Sequence, residues 1–334
     1  VIKYLGSKRT LLPLITEVIE QIAPGGTVLD LFSGTSRVGH ALKARGCRVI
    51  ANDHNAYAHA LAMCYVQADA EDVLADAERL VREFNALPGE PGYFTRTFCE
   101  QSRFFQPWNG ARIDAIRNAI AAKGLDPELE AVMLVSLMEA ADRVDSTTGV
   151  QMAYLKEWAP RAYNPLELRV PRVLPRAAAG KGRALCKDAL EAAATPADVA
   201  YIDPPYNQHS YLGNYHVWET LVRWDRPEVY GAACKRIDVR ERRSAFNSRR
   251  MCLEAFSALI DRVAAPALVV SFSDEGFITR EQAEQVLSRR GSVRVLERDY
   301  RRYVGAQIGI YSPAGEKVGT VSHLRNKEYL FVVT

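Results

Sequence analysis

The chain has 334 residues, of which 48% are hydrophobic and 25% charged, with a formal net charge of +3. This is an ordinary globular composition, long enough for two domains or one domain with a large insertion, and the net charge does not by itself announce a polyanionic partner. The six cysteines include no C-x-x-C pair, no two histidines have metal-ligand spacing, and no apolar run approaches the ~20 residues of a membrane span. Those absences argue against a zinc ribbon, a disulfide framework, any required metal or a membrane protein, and lead us to expect a reducing, cytoplasmic setting without a secretion signal.

In chain order, residues 3–9 read as a polar loop bearing Gly6 and Lys8. Thr10 is placed to cap a helix whose apolar face carries Leu11, Leu14, Ile15, Val18, Ile19 and Ile22. Residues 27–32 form a strand that includes Asp30 and Phe32, and residues 33–39 a glycine-bearing turn that opens a helix. Gly34 there permits positive φ and close approach of a ligand, and the helix start adds free amides. The turn is not G-x-G-x-x-G, so a dinucleotide is the weaker reading. A second strand over 47–53 ends in Asp53, 23 positions after Asp30. An acid roughly 20 residues past a glycine loop suits a ribose diol, which we favour over a simple turn cap. A long alanine-rich helix is expected over 56–84, broken by the prolines and glycines of 88–92.

Residues 93–180 do not look like a sheet unit. Amphipathic helices are expected over 112–123 and 127–144, and residues 158–176 are rich in proline and arginine. The stretch is too long for a strand-to-helix connection. We read 64–180 as an inserted, mostly helical recognition region, with a lid or packing subdomain as the alternative, and 1–63 with 181–334 as the catalytic domain. The sheet resumes over 183–187. Asp188 follows, before a short helix over 189–194 for which it is an equally good N-cap.

Residues 197–202 are a short apolar strand, stopped by Pro204-Pro205 because neither proline donates to a ladder. Asp203 therefore sits at the carboxyl end of a parallel strand, where open α/β sheets build their sites, with Tyr206 close behind. An acceptor, a rigid carbonyl and an aromatic face suit a planar base held by its exocyclic amine. Polar and aromatic residues follow through Tyr211, Tyr215 and Trp218. The run 235–250 is basic, with Arg240, Arg242, Arg243, Arg249 and Arg250 beside the proposed catalytic loop, so phosphate contact is expected. Residues 244–248 within it are expected to be mobile without DNA. A strand over 267–272, a helix over 279–290, a strand over 292–297, a hairpin led by 301–303 with a turn at 313–315, and a last strand over 329–333 complete the chain.

Asp203-Pro204-Pro205-Tyr206 resembles the D-P-P-Y signature of amino-methyltransferases acting on nucleic-acid bases. Tyr4-Leu5-Gly6-Ser7-Lys8 resembles the N-terminal cofactor motif of the Dam-like adenine-N6 DNA methyltransferases, and the order of motifs matches that family. The resemblance covers 1–60 and 183–225 well, 265–334 less well, and 64–180 not in detail. It implies a class I methyltransferase fold: a mixed seven-stranded sheet with helices on both faces and an inserted helical target-recognition region. It also implies S-adenosylmethionine as cofactor, with Tyr4 and Lys8 at its amino-acid part, Phe32 and the Gly34 loop curved around it, and Asp188 with Leu190 beside its adenine. Asp203 and the Pro204 carbonyl would grip an adenine N6 amine, Tyr206 would stack on the extruded base, and transfer would be a direct in-line displacement. Double-stranded DNA is the expected partner, with a cognate restriction endonuclease system in the background and a monomer or weak dimer in solution. The alternatives are cytosine N4 or an RNA base as acceptor, or a non-catalytic DNA-binding protein on the same fold. The aspartate favours adenine, and no cysteine follows a proline as the C5-cytosine nucleophile would require.

Overall fold

Short apolar runs bounded by turns make one sheet. In the computed structural model, which describes residues 2–6, 8–301, 310–311, 317–319 and 325–334, its strands are β1 (Thr27–Asp30), β2 (Arg48–Asn52), β3 (Arg183–Leu185), β4 (Val199–Ile202), β5 (Ala267–Ser273), β6 (Val293–Arg301) and β7 (Arg325–Val333). They lie in the order β3-β2-β1-β4-β5-β7-β6. The first five in that order pair in parallel, and β7 runs antiparallel to both β5 and β6.

Strand side chains alternate between faces, and both faces are covered. Val28, Val49, Val199 and Val269 pack on one side with Ile15, Val18 and Ile19 of α1 (Leu12–Ile22) and Leu42 of α2 (Arg37–Ala44). Their neighbours Leu29, Ile50, Ala200 and Val270 pack on the other with Phe256, Leu259 and Ile260 of α10 (Cys252–Arg262) and Leu287 of α11 (Arg280–Leu287). Each such aliphatic side chain, buried fully, contributes about 1.5–3 kcal/mol. The expected mixed seven-stranded sheet with helices on both faces is therefore present.

A third core is helical. It joins Tyr57, Ala58 and Leu61 of α3 (Ala56–Ala62) to Leu80 and Phe84 of α4 (Ala70–Asn85), Ile113 and Ile116 of α5 (Pro107–Lys123), Val132, Leu137 and Met138 of α6 (Pro127–Arg143), and Val217, Trp218 and Leu221 of α9 (His216–Arg223). Between 144 and 182 the chain is mostly irregular. Helices from within 64–180 thus share one core with helices before and after that stretch.

Several local expectations are corrected. The single helix expected over 56–84 is interrupted: α3 widens into a π turn, Met63–Gln67, and the chain extends at Ala68 and Asp69 before α4 begins. The cause is a buried ion pair. Lys43 donates to the Ala68 carbonyl at 2.6 Å and to Asp69 at 2.8 Å, and Arg176 donates to Asp69 at 2.7 Å. Thr10 does not cap α1. It belongs to a 3-10 turn, Lys8–Thr10, and the helix starts with Pro13 in its first turn, where a missing N–H costs nothing. α5 begins five residues before the expected 112, also behind a proline. Of the hairpin expected after 301–303 with a turn at 313–315, two short strands are described, Ile310–Tyr311 and Lys317–Gly319, which pair antiparallel; residues 302–303 and the turn itself lie outside the described residues.

Candidate active site

The carboxyl edge of the parallel strands gathers four acids. Asp30 ends β1, Asp53 follows β2 and Asp203 follows β4. Glu328, near the start of β7, pairs in register with Ser273 at the end of β5 and so reaches the same edge. A cavity of about 370 Å³ opens there, within the usual range of cofactor sites. Its wall includes Tyr4, Lys8, Asp30, Phe32, Gly34, Asp53, Asp188 and Asp203, which are all eight residues expected at a cofactor.

The loop after β1 is shaped from below. Gly34 has φ +50°, and the Tyr4 ring lies over it so closely that a Cβ would sit 3.4 Å from the ring. Ser36, which is not a glycine, takes φ 57° just before α2, a conformation that stores strain and is common at binding loops. Asp53 accepts from the Gly34 amide at 3.1 Å and from the Asn55 amide at 3.0 Å. It therefore caps its own turn and also braces the glycine loop, on the wall of the cavity. Asp188 likewise caps α7 (Ala189–Ala192) through the Leu190 amide at 2.8 Å while lining the cavity with Leu190.

Tyr4 is fixed by aromatic packing. Its ring stacks on Tyr215 at 4.5 Å and on Tyr211 at 5.2 Å, and its hydroxyl lies 3.2 Å from that of Tyr57. The Tyr215 hydroxyl accepts from the Leu5 amide at 2.6 Å. The polar and aromatic run after D-P-P-Y thus holds the N-terminal motif in place.

The charges are strongly perturbed. Lys8 is buried, and its ammonium lies 3.1 Å from Asp203 and 3.3 Å from Glu328. Burial works against that charge, but the two carboxylates outweigh it and hold Lys8 above its ordinary range. Burial also keeps Asp203 above the usual carboxylate range, with Lys8 pulling against it. Asp30 is pushed up to about 8, first by burial and then by Asp203 and Asp53. Neither of its oxygens has a hydrogen bond of ordinary geometry among the described residues, and the nearby amides of Phe32 and Gly39 offset only part of the rise. The hydroxyls of Ser33 and Ser36 are similarly unsatisfied. Buried polar atoms left this way need a partner from solvent or a ligand, and Asp30 and Ser33 place theirs on the cavity wall.

The catalytic loop divides. Asp203 and Pro205 face the cavity, Pro204 is buried, and Tyr206 sits beside Lys8, whose ammonium is 5.8 Å from its ring centre. Burial raises the Tyr206 hydroxyl to about 12, so it stays neutral.

The basic run is not a uniform phosphate face. Arg242 turns inward: it pairs with the buried Glu219 at 2.9 Å, donates to the His54 carbonyl at 3.2 Å and lines the cavity. A buried carboxylate captures it, which corrects its expected place among the outward phosphate contacts. Arg240 stacks on Tyr230 at 3.9 Å and Arg249 on Phe277 at 5.1 Å; these two and Arg250 are exposed, and Arg243 is exposed while also bordering the cavity. The stretch expected to be mobile holds a 3-10 turn, Ala245–Asn247. Phe246 meets Phe32 edge-on at 5.3 Å, and Asn247 donates to the carbonyls of Asn207 and His209 at 2.7 and 3.1 Å. The segment therefore roofs the cavity and ties down the loop after D-P-P-Y. Sequence reasoning missed Phe246 and Glu328; a lone aromatic inside a run of arginines was the available signal for the first.

Comparison with known proteins gives a consistent picture. The family profile described as D12 class N6 adenine-specific DNA methyltransferase matches residues 4–263. Type II methyltransferase M.FokI of Planomicrobium okeanokoites is 31% identical over 323 residues, covering 90% of this chain and 49% of that protein. Type II methyltransferase M.NlaIII of Neisseria lactamica is 28% identical, covering 90% of this chain and 92% of its own length. Type II methyltransferase M.CviAII of Paramecium bursaria Chlorella virus 1 is 27% identical, covering 99% of this chain and 98% of that protein. The chain thus spans about half the length of the first of these relatives and nearly all of the other two. With its cavity, its D-P-P-Y loop and a profile match over most of its length, the chain belongs to the D12 class N6 adenine-specific DNA methyltransferase family.

Proposed function

We propose that this protein transfers a methyl group from S-adenosylmethionine to N6 of adenine in duplex DNA, as the modification half of a restriction system of the type its relatives' names describe. The observation that carries the reading is the half-buried Asp203 carboxylate on the wall of a cofactor-sized cavity, at the carboxyl end of β4 and paired with Lys8.

The cavity's donors and acceptors fit the cofactor. The Asp30 oxygens, unsatisfied among the described residues, suit an ammonium. Asp53 keeps lone pairs for a ribose diol beyond those spent on the glycine loop. Phe32, Leu190 and Phe246 offer apolar surface for a purine. When bound, S-adenosylmethionine would supply a methyl group activated as a sulfonium, the S–C bond breaking to leave a neutral thioether.

The chain's own residues act on the base. The N6 lone pair of adenine is delocalised into the ring, so the amine is a poor nucleophile. Asp203 accepts one N6–H and the Pro204 carbonyl the other, which favours a tetrahedral nitrogen and stabilises positive charge developing on it. Tyr206 takes over stacking from the duplex, offsetting an unpairing cost of a few kcal/mol. Arg240, Arg243, Arg249 and Arg250 meet phosphates, and residues 64–180 with their helices supply target recognition.

The test is tritiated transfer to unmethylated genomic DNA followed by modified-base identification. N6-methyladenine is expected. Asp203→Ala should abolish transfer while retaining much of the cofactor binding, because its carboxylate addresses the base amine. N4-methylcytosine as product, or full activity in the variant, would overturn the assignment.

A further inference from the structure

We infer that Glu328 is a positioning residue for methyl transfer: it holds the Lys8 ammonium so that the Asp203 carboxylate stays available to the base amine. The inference rests on the reading of Asp203 given above and extends it to a residue outside the 4–263 span that the family profile matches.

The geometry is a buried three-member cluster. Lys8, with its side chain 8% exposed, stands 3.1 Å from Asp203 Oδ1 and 3.3 Å from Glu328 Oε2. One ammonium is shared by two carboxyl groups, at 3.1 and 3.3 Å, beside the place proposed for the reacting nitrogen. An ammonium with a single carboxylate partner forms a tight, charge-assisted pair, and that carboxylate is then a poor acceptor for a neutral amine. With Glu328 as second partner, the Lys8 charge is balanced from the opposite strand and Asp203 is left with lone pairs for N6–H.

Glu328 reaches this place because β7 is antiparallel to β5. Among the described residues, Asp274, just after β5, faces Glu328, Glu275 bears on Tyr206, and Asp30 faces Asp203. Tyr201 and Tyr206 border Lys8, and burial keeps both hydroxyls protonated. Removing the Glu328 carboxylate therefore acts on Asp203 through Lys8: the attraction of Lys8 for Asp203 is no longer shared. Asp203 ionises at lower pH but binds the amine less well.

The test is Glu328→Gln, which keeps shape and removes charge, with Glu328→Asp as the conservative partner, each assayed in single-turnover methyl transfer to a duplex of mapped sequence. Expected for Glu328→Gln are a loss in rate of about tenfold, a binding constant for S-adenosylhomocysteine within about threefold of wild type, and an acid limb of the rate profile displaced to lower pH. Glu328→Asp should recover part of the rate. An unchanged rate and acid limb in Glu328→Gln would overturn the role, as would a loss that appears wholly in cofactor affinity or equally in both variants. Wild-type protein that methylates no adenine would overturn the reading of Asp203 and this role with it, whereas active wild type with an equally active Glu328→Gln overturns this role alone.

Discussion

Burial at the end of β1 pushes the Asp30 carboxyl up to about 8 from 3.8, and that shift acts on stability as well as on binding. The folded state keeps a proton that the unfolded chain releases above pH 4. Stability of the ligand-free protein is therefore undiminished by this group below pH 4, falls as pH rises from about 4, and is lowest once pH passes 8. Asp30→Asn removes the slope. The variant should gain stability over wild type progressively between pH 4 and 8, by about 2 kcal/mol once water entering the cavity is allowed for. It should also bind S-adenosylhomocysteine more weakly, because the partner for its ammonium is gone. Denaturant melts across that pH range check the first expectation; a stability difference that stays flat with pH would show that the carboxyl is already ionised in the folded state. The acids were legible in the sequence where a strand ran toward the site: Asp30, Asp53 and Asp203 all stand at carboxyl ends of parallel strands. Glu328 was not, because its strand runs the other way and the acid precedes the apolar run instead of following it.

At the level of elements, the segment from Arg240 to Arg250 combines two tasks that composition alone could not separate. A run of arginines reads as one basic face, yet the buried Glu219 on α9 selects Arg242 and turns it into the cavity roof. The two kinds of arginine should differ in a measurable way. Replacing Arg243, Arg249 and Arg250 with glutamine should weaken DNA binding for all sequences and reduce the slope of log affinity against log salt by about 0.9 for each phosphate that is no longer neutralised. Arg242→Gln should leave that slope unchanged, lower stability by about 1–2 kcal/mol because Glu219 loses its nearest cation, and loosen cofactor binding. Salt titrations of the two variants separate these outcomes, and a reduced slope in Arg242→Gln would return that residue to the DNA surface. The break before α4 was hidden for a similar reason. Alanine-rich periodicity over 56–84 is continuous, and only tertiary contacts from Lys43 and Arg176 to Asp69 interrupt it.

For the molecule as a whole, the sheet was the readable part, since its strands are short apolar runs ended by acids, glycines or prolines. The relation of the helices within 64–180 to the sheet was not readable, because helix faces show that they are apolar without showing what they meet. The structure joins α3 and α9, which precede and follow that stretch, to α4, α5 and α6 in one core. Cutting the chain at 63 and 181 would expose that core on both pieces, so the two regions should unfold together. The tryptophans allow a direct check: Trp218 on α9 is buried in the helical core and Trp224, immediately after α9, packs against it, while none of the four lies on the sheet. Their fluorescence therefore follows the helical core, while far-ultraviolet circular dichroism follows sheet and helices alike. Urea unfolding curves from the two probes should coincide, with one midpoint. Saturating S-adenosylhomocysteine, at ~100 times its dissociation constant, should move both midpoints together by the equivalent of about 2.7 kcal/mol, although the cavity touches the sheet edge more than the insertion. A fluorescence transition that precedes the circular dichroism transition, or that ignores the ligand, would mean that the helical layer is a separate unit docked on the sheet, and that target recognition and methyl transfer are coupled only through DNA.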